Sequence, residues 1–489
     1  VVAAGVVLGL LAVLRWEVAV VAVVAVAVVA VVAVRSRLLL VAGACGVAAS
    51  VGWLTTVSPA AAAGVALALV LALVIAARPE LVPGLLVVVV FLEGVQVGGL
   101  AVSFIVAPVA LVFLLGELVR GRASRPRAPL VGVAVAYTVW ASASALWTLN
   151  PGDTAFGLQT LGVALVYMLV FASLVRTDAD LRMVLVAAAV GASLTGLVAI
   201  AQVAAGQDRA VGLQADPNYF AAFQILAVPL ILALTSEARG AARIAAYAAL
   251  LVTFGSILAS LSRGGLLALL VVTLAALLVP SRLLFPSGGR RLAVGATLLV
   301  TGALLFTAVS DQLVPRLEGA VGGSETESAG AGRLNEWRAA WGSIQERPLL
   351  GLGYGGFVPE SNDLLRATPG VDFTNFRLEE EGIEAHSAYI SSAAELGIPG
   401  ALLFVALLGT AGVSLVRVAR TPSGSPTAPR VAAALSIGLV GWATTALFLS
   451  SEAARPLWIT LGLSCALWAM AQGRARAPAP LGAPVPAPA

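Results

Sequence analysis

Residues 183–205 run from end to end without a charged side chain, and similar runs recur along almost the whole chain. About 20 apolar residues make a helix long enough to cross the hydrocarbon core of a bilayer. Inside that core every peptide N–H and C=O needs a partner within the protein, so only helices and closed barrels can span it. Barrel strands alternate apolar and polar side chains; these runs do not. Composition agrees, with 60% hydrophobic and 11% charged residues, where a soluble domain carries about 25% charged residues. The chain reads as an all-α polytopic membrane protein.

Sixteen apolar runs qualify as spans, among them 81–97, 130–148, 183–205, 218–235, 264–280, 292–309 and 397–418. Allowing two of them to be re-entrant or interfacial, the expectation is 14–16 transmembrane helices with one large extracytoplasmic loop. Cytoplasmic loops carry an excess of positive charge. The short loops 35–37, 120–127, 176–182, 239–243, 282–291 and 417–430 are rich in arginine, and alternation of spans puts all of them on one side. The opposite short loops, 58–59, 150–155 and 206–217, carry Arg209 alone. Residues 1–309 are therefore expected to be transmembrane helices, and 310–396 the extracytoplasmic loop. Residues 397–472 follow as C-terminal transmembrane helices, and 473–489 as a disordered Pro/Ala-rich cytoplasmic tail. No cleavable signal peptide is expected ahead of the first apolar run. All basic residues are arginine, as GC-rich coding of the actinobacterial kind would produce. Cys45 and Cys465 lie in apolar runs near opposite ends and read as packing residues rather than a disulfide or a metal pair.

Four places interrupt this pattern with chemistry. Ser262-Arg263-Gly264-Gly265 sets an arginine between two spans on the side that otherwise avoids arginine. An ionisable group there is either functional or a side chain reaching for lipid headgroups. In the loop, Arg333, Trp337 and Trp341 share one helical face, at the depth where tryptophan favours the membrane–water interface. Arg333 would lie beside the tryptophans, Arg338 follows Trp337 in the chain, and Pro348 should end that helix before the glycine-dense 351–356 turn. His386, the one histidine of the chain, is either a structural hydrogen-bonder or a proton acceptor near neutral pH. One histidine with no nearby cysteine cannot build a multi-histidine metal site. At 212–220, Asp216 or Asn218 caps a helix or forms the polar edge of a binding cavity.

In order, Ser262-Arg263-Gly264, Arg333 with Trp337, 348–353, and His386 to Tyr389 with Glu395, Gly397 and Gly400 resemble the O-antigen ligase family. The resemblance runs from about 258 to 400, with a weaker echo at 216–218. It implies a glycosyltransferase-C-like, multi-pass enzyme of the bacterial cytoplasmic (inner) membrane, with its active site on the extracytoplasmic face. Such enzymes transfer a glycan from a polyprenyl (undecaprenyl) pyrophosphate to a glycan, glycolipid or protein acceptor hydroxyl, with inversion and without a metal or other cofactor. Carried over, Arg263 and Arg333 bind pyrophosphate and His386 assists the acceptor hydroxyl. Arg338, Trp337, Tyr389, Asp216 and Asn218 are the further substrate-binding candidates. Membrane lipid is an expected partner and nucleic acid is not. The sequence departs from the family at Ser387, where asparagine is usual. A polymerase extending lipid-linked repeats is the alternative within the class, and a lipid-linked glycan transporter the alternative outside it. A transporter would carry polar groups in mid-span, and the candidates for that are Glu93, Gln96 and Gln202. The loop 310–396 holds fourteen acids against six arginines, so general attraction cannot gather an anionic donor; a local arginine pocket has to.

Overall fold

The computed structural model describes residues 78–97, 100–123, 126, 128–278, 282–285, 287–289, 291–292, 294–296, 330–371, 373, 378, 380–421 and 424–473. The expected spans within 1–77, most of 292–309, the first part of the loop, Cys45 and the tail lie outside them. The helices are α1 (Val82–Val90), α2 (Val102–Val119), α3 (Pro129–Ala143), α4 (Pro151–Leu174), α5 (Asp178–Ala204), α6 (Pro217–Glu237) and α7 (Gly240–Ala259). Next come α8 (Arg263–Leu278), α9 (Gly330–Glu346), α10 (Phe357–Ala367), α11 (Ala388–Arg420), α12 (Ala428–Thr445) and α13 (Arg455–Ala471). Seven of the described helices are long and apolar enough to cross a membrane: α2 to α7 and α11. The protein is an all-α polytopic membrane protein.

Helix α6 is the axis of the bundle. Of its most apolar window 83% is buried, and it packs on α5, α7, α8 and α12. A helix apolar all round belongs inside a bundle. At the opposite extreme, Val186, Val190, Leu194 and Leu197 of α5 are exposed at helical spacing, a stripe suited to lipid tails. The Arg-rich end of α6 is tied by Glu237, which pairs with Arg182 and Arg430. Its Arg-poor end carries polar residues, described below.

The chain differs from the span expected at 81–97. Helix α1 stops at Val90, and a short antiparallel pair joins Gln96–Val97 to Leu100–Ala101. Glu93 ends the apolar run by pairing with Arg455 at 3.0 Å and accepting from Ser103, contacts a bilayer-facing helix could not supply. Helix α11 is two helical stretches that meet at a break at Gly397 (φ 67, ψ −178), where the loop is expected to give way to a span. A Cβ there would sit 2.4 Å from the Leu349 carbonyl oxygen, and that backbone region is essentially restricted to glycine.

Beside this break runs the glycine-dense strap 348–356. Leu352 and Gly353 N–H donate to Ala394 and Glu395 carbonyls, and Ile398 N–H donates to Pro348. The buried Glu395 carboxylate accepts from the Gly355 and Phe357 amides. Trp140 and Trp147 donate to the Leu396 and Leu350 carbonyls, binding the strap to the bundle. Backbone without helix or sheet partners is thereby satisfied at the membrane edge.

Candidate active site

Asp216 caps α6: its Oδ1 accepts from the Asn218 and Tyr219 amides at 2.7 and 3.1 Å. The capping reading thus holds for Asp216, while Asn218 turns to its neighbours. Its Oδ1 accepts from Ser262 Oγ at 2.8 Å and from Arg209 Nη2 at 3.3 Å. Ser262 in turn receives the Gly265 amide, so it caps α8 and sets Arg263 in the first helical position. The chain enters α8 through Leu261, at φ 51.

Helix α9 brings the second arginine. The Arg333 guanidinium lies over the Phe448 ring at 5.9 Å, and a Cβ at Gly264 would touch the same ring. Burial lowers the Arg333 pKa, neighbouring Glu336 raises it, and the charge of Arg263 lowers it again. An arginine side chain remains charged throughout. Arg263 and Arg333, from two separate segments, therefore lie close enough for each charge to act on the other, while Arg209 holds the Ser260 carbonyl and Asn218. Guanidiniums held close together repel, an arrangement an anion relieves with charge-assisted hydrogen bonds.

One turn along α9, Glu336 is buried and meets His386 Nδ1 at 2.9 Å; the Glu384 carbonyl lies 3.0 Å from the same nitrogen. A carbonyl only accepts, so Nδ1 carries the proton and the neutral ring presents its lone pair at Nε2. Burial pulls the His386 pKa down, but its hydrogen bond and charge pairing with Glu336, aided by Glu384, leave it above the ordinary value. His386 sits at φ 47, and the Trp337 indole N–H holds that turn by donating to Ala385. Burial raises the Glu384 pKa against the opposing effects of His386 and the Tyr219 hydroxyl, which donates to it at 3.4 Å. A carboxylate that orients a histidine and fixes its tautomer is a recurring device for making a general base.

The structure therefore brings together Arg263, Arg333, Trp337, His386, Asp216 and Asn218. It sets two other candidates apart. Arg338 is exposed and donates toward Gly370 and Asn335, since two positions along a helix from Glu336 is a different face. Tyr389 donates to the Ala443 carbonyl and packs on Phe404, joining α11 to α12. Trp341 parts from Trp337: it is 61% exposed while the Trp337 indole turns inward. Sequence reasoning passed over Glu336, Glu384 and Tyr219. It also passed over Arg209, although a lone arginine in an otherwise arginine-free loop was a signal.

These features define a multi-pass membrane protein with an arginine and histidine centre at one edge of its bundle. Residues 248–405 match the O-antigen ligase family. The match carries Arg263, Arg333, Glu336 and His386; it begins after Arg209 and the 216–219 cap. No curated protein matches the chain. The family match supports a membrane glycosyltransferase of the O-antigen ligase and polymerase kind.

Proposed function

We propose that the protein transfers a glycan from undecaprenyl pyrophosphate to an acceptor hydroxyl, with inversion, on the extracytoplasmic face of the bacterial cytoplasmic membrane. The observation that carries this reading is the approach of Arg263 and Arg333 beside a histidine whose Nδ1 is occupied. In this reading the acceptor oxygen attacks the anomeric carbon as His386 Nε2 takes its proton. The bond from that carbon to the phosphate oxygen breaks, and its electron pair leaves with the pyrophosphate. That leaving group is already a stable anion, so the protein's task is to hold its growing charge, and fixed guanidiniums do this without reorganisation. A positioned base adds on the order of 10²–10⁴ in rate.

Glu93 and Gln202, the polar residues a transporter would use in mid-span, are instead occupied at helix ends. Gln202 binds the 211–212 turn, and Glu93 pairs with Arg455. This favours chemistry over transport. The test is to incubate purified protein with lipid-linked glycan and candidate acceptors and to size the products by mass spectrometry. One-step transfer marks a ligase and a ladder a polymerase; no product with any acceptor rejects the reading. Activity should persist in EDTA, and loss restored by magnesium would reject the arginine assignment.

A further inference from the structure

A second polar space adjoins this centre and shares its wall. It is a cavity of about 310 Å³ lined by Glu93, Asp216, Tyr219, Tyr354, Glu452 and Arg455, with Ser450 and Ser451 among its other walls. Small-molecule sites begin at about 300 Å³. Its charged residues come from the turn after α1, the cap of α6 and the approach to and start of α13, all outside the stretch that matches the family. Glu452 and Arg455 are each 8% exposed, and Ser451 2%.

Glu93 and Glu452 each use one carboxylate edge on the protein. Glu93 Oε1 takes Arg455 Nη1 and Ser103, and Glu452 Oε1 takes Ser391. Among the described residues, Glu93 Oε2, Glu452 Oε2, Arg455 Nε and Nη2, and the Ser450 and Ser451 hydroxyls have no hydrogen-bond partner. Leaving such groups buried and unsatisfied costs roughly 1–3 kcal/mol each. The unmet groups are mixed, two carboxylate acceptors beside guanidinium donors and hydroxyls. A phosphate would face three carboxylates, Glu93, Glu452 and Asp216, against one arginine. A lipid tail would leave all of them unmet. Vicinal hydroxyls both donate and accept, and the aromatic walls of Tyr219 and Tyr354 suit the apolar face of a ring.

We infer that this cavity is a sugar subsite, which seats one hydroxyl-bearing ring of a glycan substrate against Glu93, Glu452 and Arg455. The Tyr219 side chain lines the cavity, and its hydroxyl reaches Glu384, two residues from His386. A ring seated there lies next to the transfer centre, as the terminal sugar of either the donor or the acceptor. The inference rests on the glycosyl-transfer reading for which substrate the ring belongs to, but not for the presence of sugar.

The test uses full-length protein in nanodiscs, with Glu452→Gln and Ser451→Ala. Ser451→Ala removes a buried unpartnered hydroxyl, so a merely structural role predicts an unchanged or raised Tm and unchanged kinetics. The subsite predicts an unchanged or raised Tm with KM for one glycan substrate raised about tenfold. Glu452→Gln should act on the same substrate, and neither variant should alter affinity for undecaprenyl pyrophosphate that bears no sugar. A rise in donor KM assigns the ring to the donor, and a rise in acceptor KM to the acceptor. Unchanged KM for both, or weakened binding of the sugar-free lipid, overturns the subsite. If wild-type protein transfers nothing, an array of free bacterial glycans decides separately: retention lost in both variants upholds the subsite, and retention absent or unaltered rejects it.

Discussion

His386 and Glu336 set the terms at the scale of the residue. The carboxylate fixes the imidazole tautomer and holds its proton above the ordinary histidine value of about 6.5. Below the raised pKa, Nε2 is protonated and cannot accept, so kcat should climb with pH along an acidic limb centred above that ordinary value. Glu336→Gln withdraws the charge that retains the proton. The limb should move to lower pH while the plateau falls by about tenfold or more; an unmoved limb would remove Glu336 from the mechanism. His386→Ala should abolish transfer yet leave the donor bound. Arg263→Ala and Arg333→Ala should each weaken binding of undecaprenyl pyrophosphate about 10- to 100-fold, as loss of a charge-assisted hydrogen bond implies. Unchanged affinity in a direct binding measurement would exclude them. At this scale the sequence exposes residues that are rare for their place: one histidine, and arginines where arginine is avoided. Glu336 stays hidden because it is one of fourteen acids in 310–396, and only the fold says which of them turns inward.

Helices show a different division. Hydropathy finds α5, α6 and α11 because their length and apolar content are properties of side chains alone. It misjudges 81–97, since Glu93 is accommodated by Arg455, more than 350 positions away in the chain and invisible to any local window. It separates the loop from the span at 396, and the helix breaks at the next residue, Gly397. Gly397→Ala should cost on the order of 1–3 kcal/mol in backbone strain, before the contact with Leu349 is counted. A lowered Tm in detergent should accompany slower transfer, because the strap 348–356 is held on that break. Retention of both would mean that the strap tolerates a different bend. Glu395→Ala should act in the same direction by leaving the Gly355 and Phe357 amides unmet, about 1–3 kcal/mol per buried group.

Across the described spans, the arginine-rich loops lie at one end and the arginine–histidine centre at the other. The proposed orientation is open to direct labelling. A cysteine at Gln345 should react with a membrane-impermeant maleimide in intact cells, and one at Arg239 only after lysis; the reverse result would invert the topology. The acidic loop cannot draw an anionic donor from solution, which fits a donor that arrives laterally within the bilayer. The centre is also assembled from parts far apart in the order of synthesis. Tyr219 leans on the Ser450 carbonyl, the Ala388 amide donates to Ala446 and Leu449, and Arg333 rests over Phe448. All of these supports arrive after α12 has been made. On the proposed function, a nascent chain with its arginines and histidine already inserted is expected to stay inactive until the segment after α12 has packed against them.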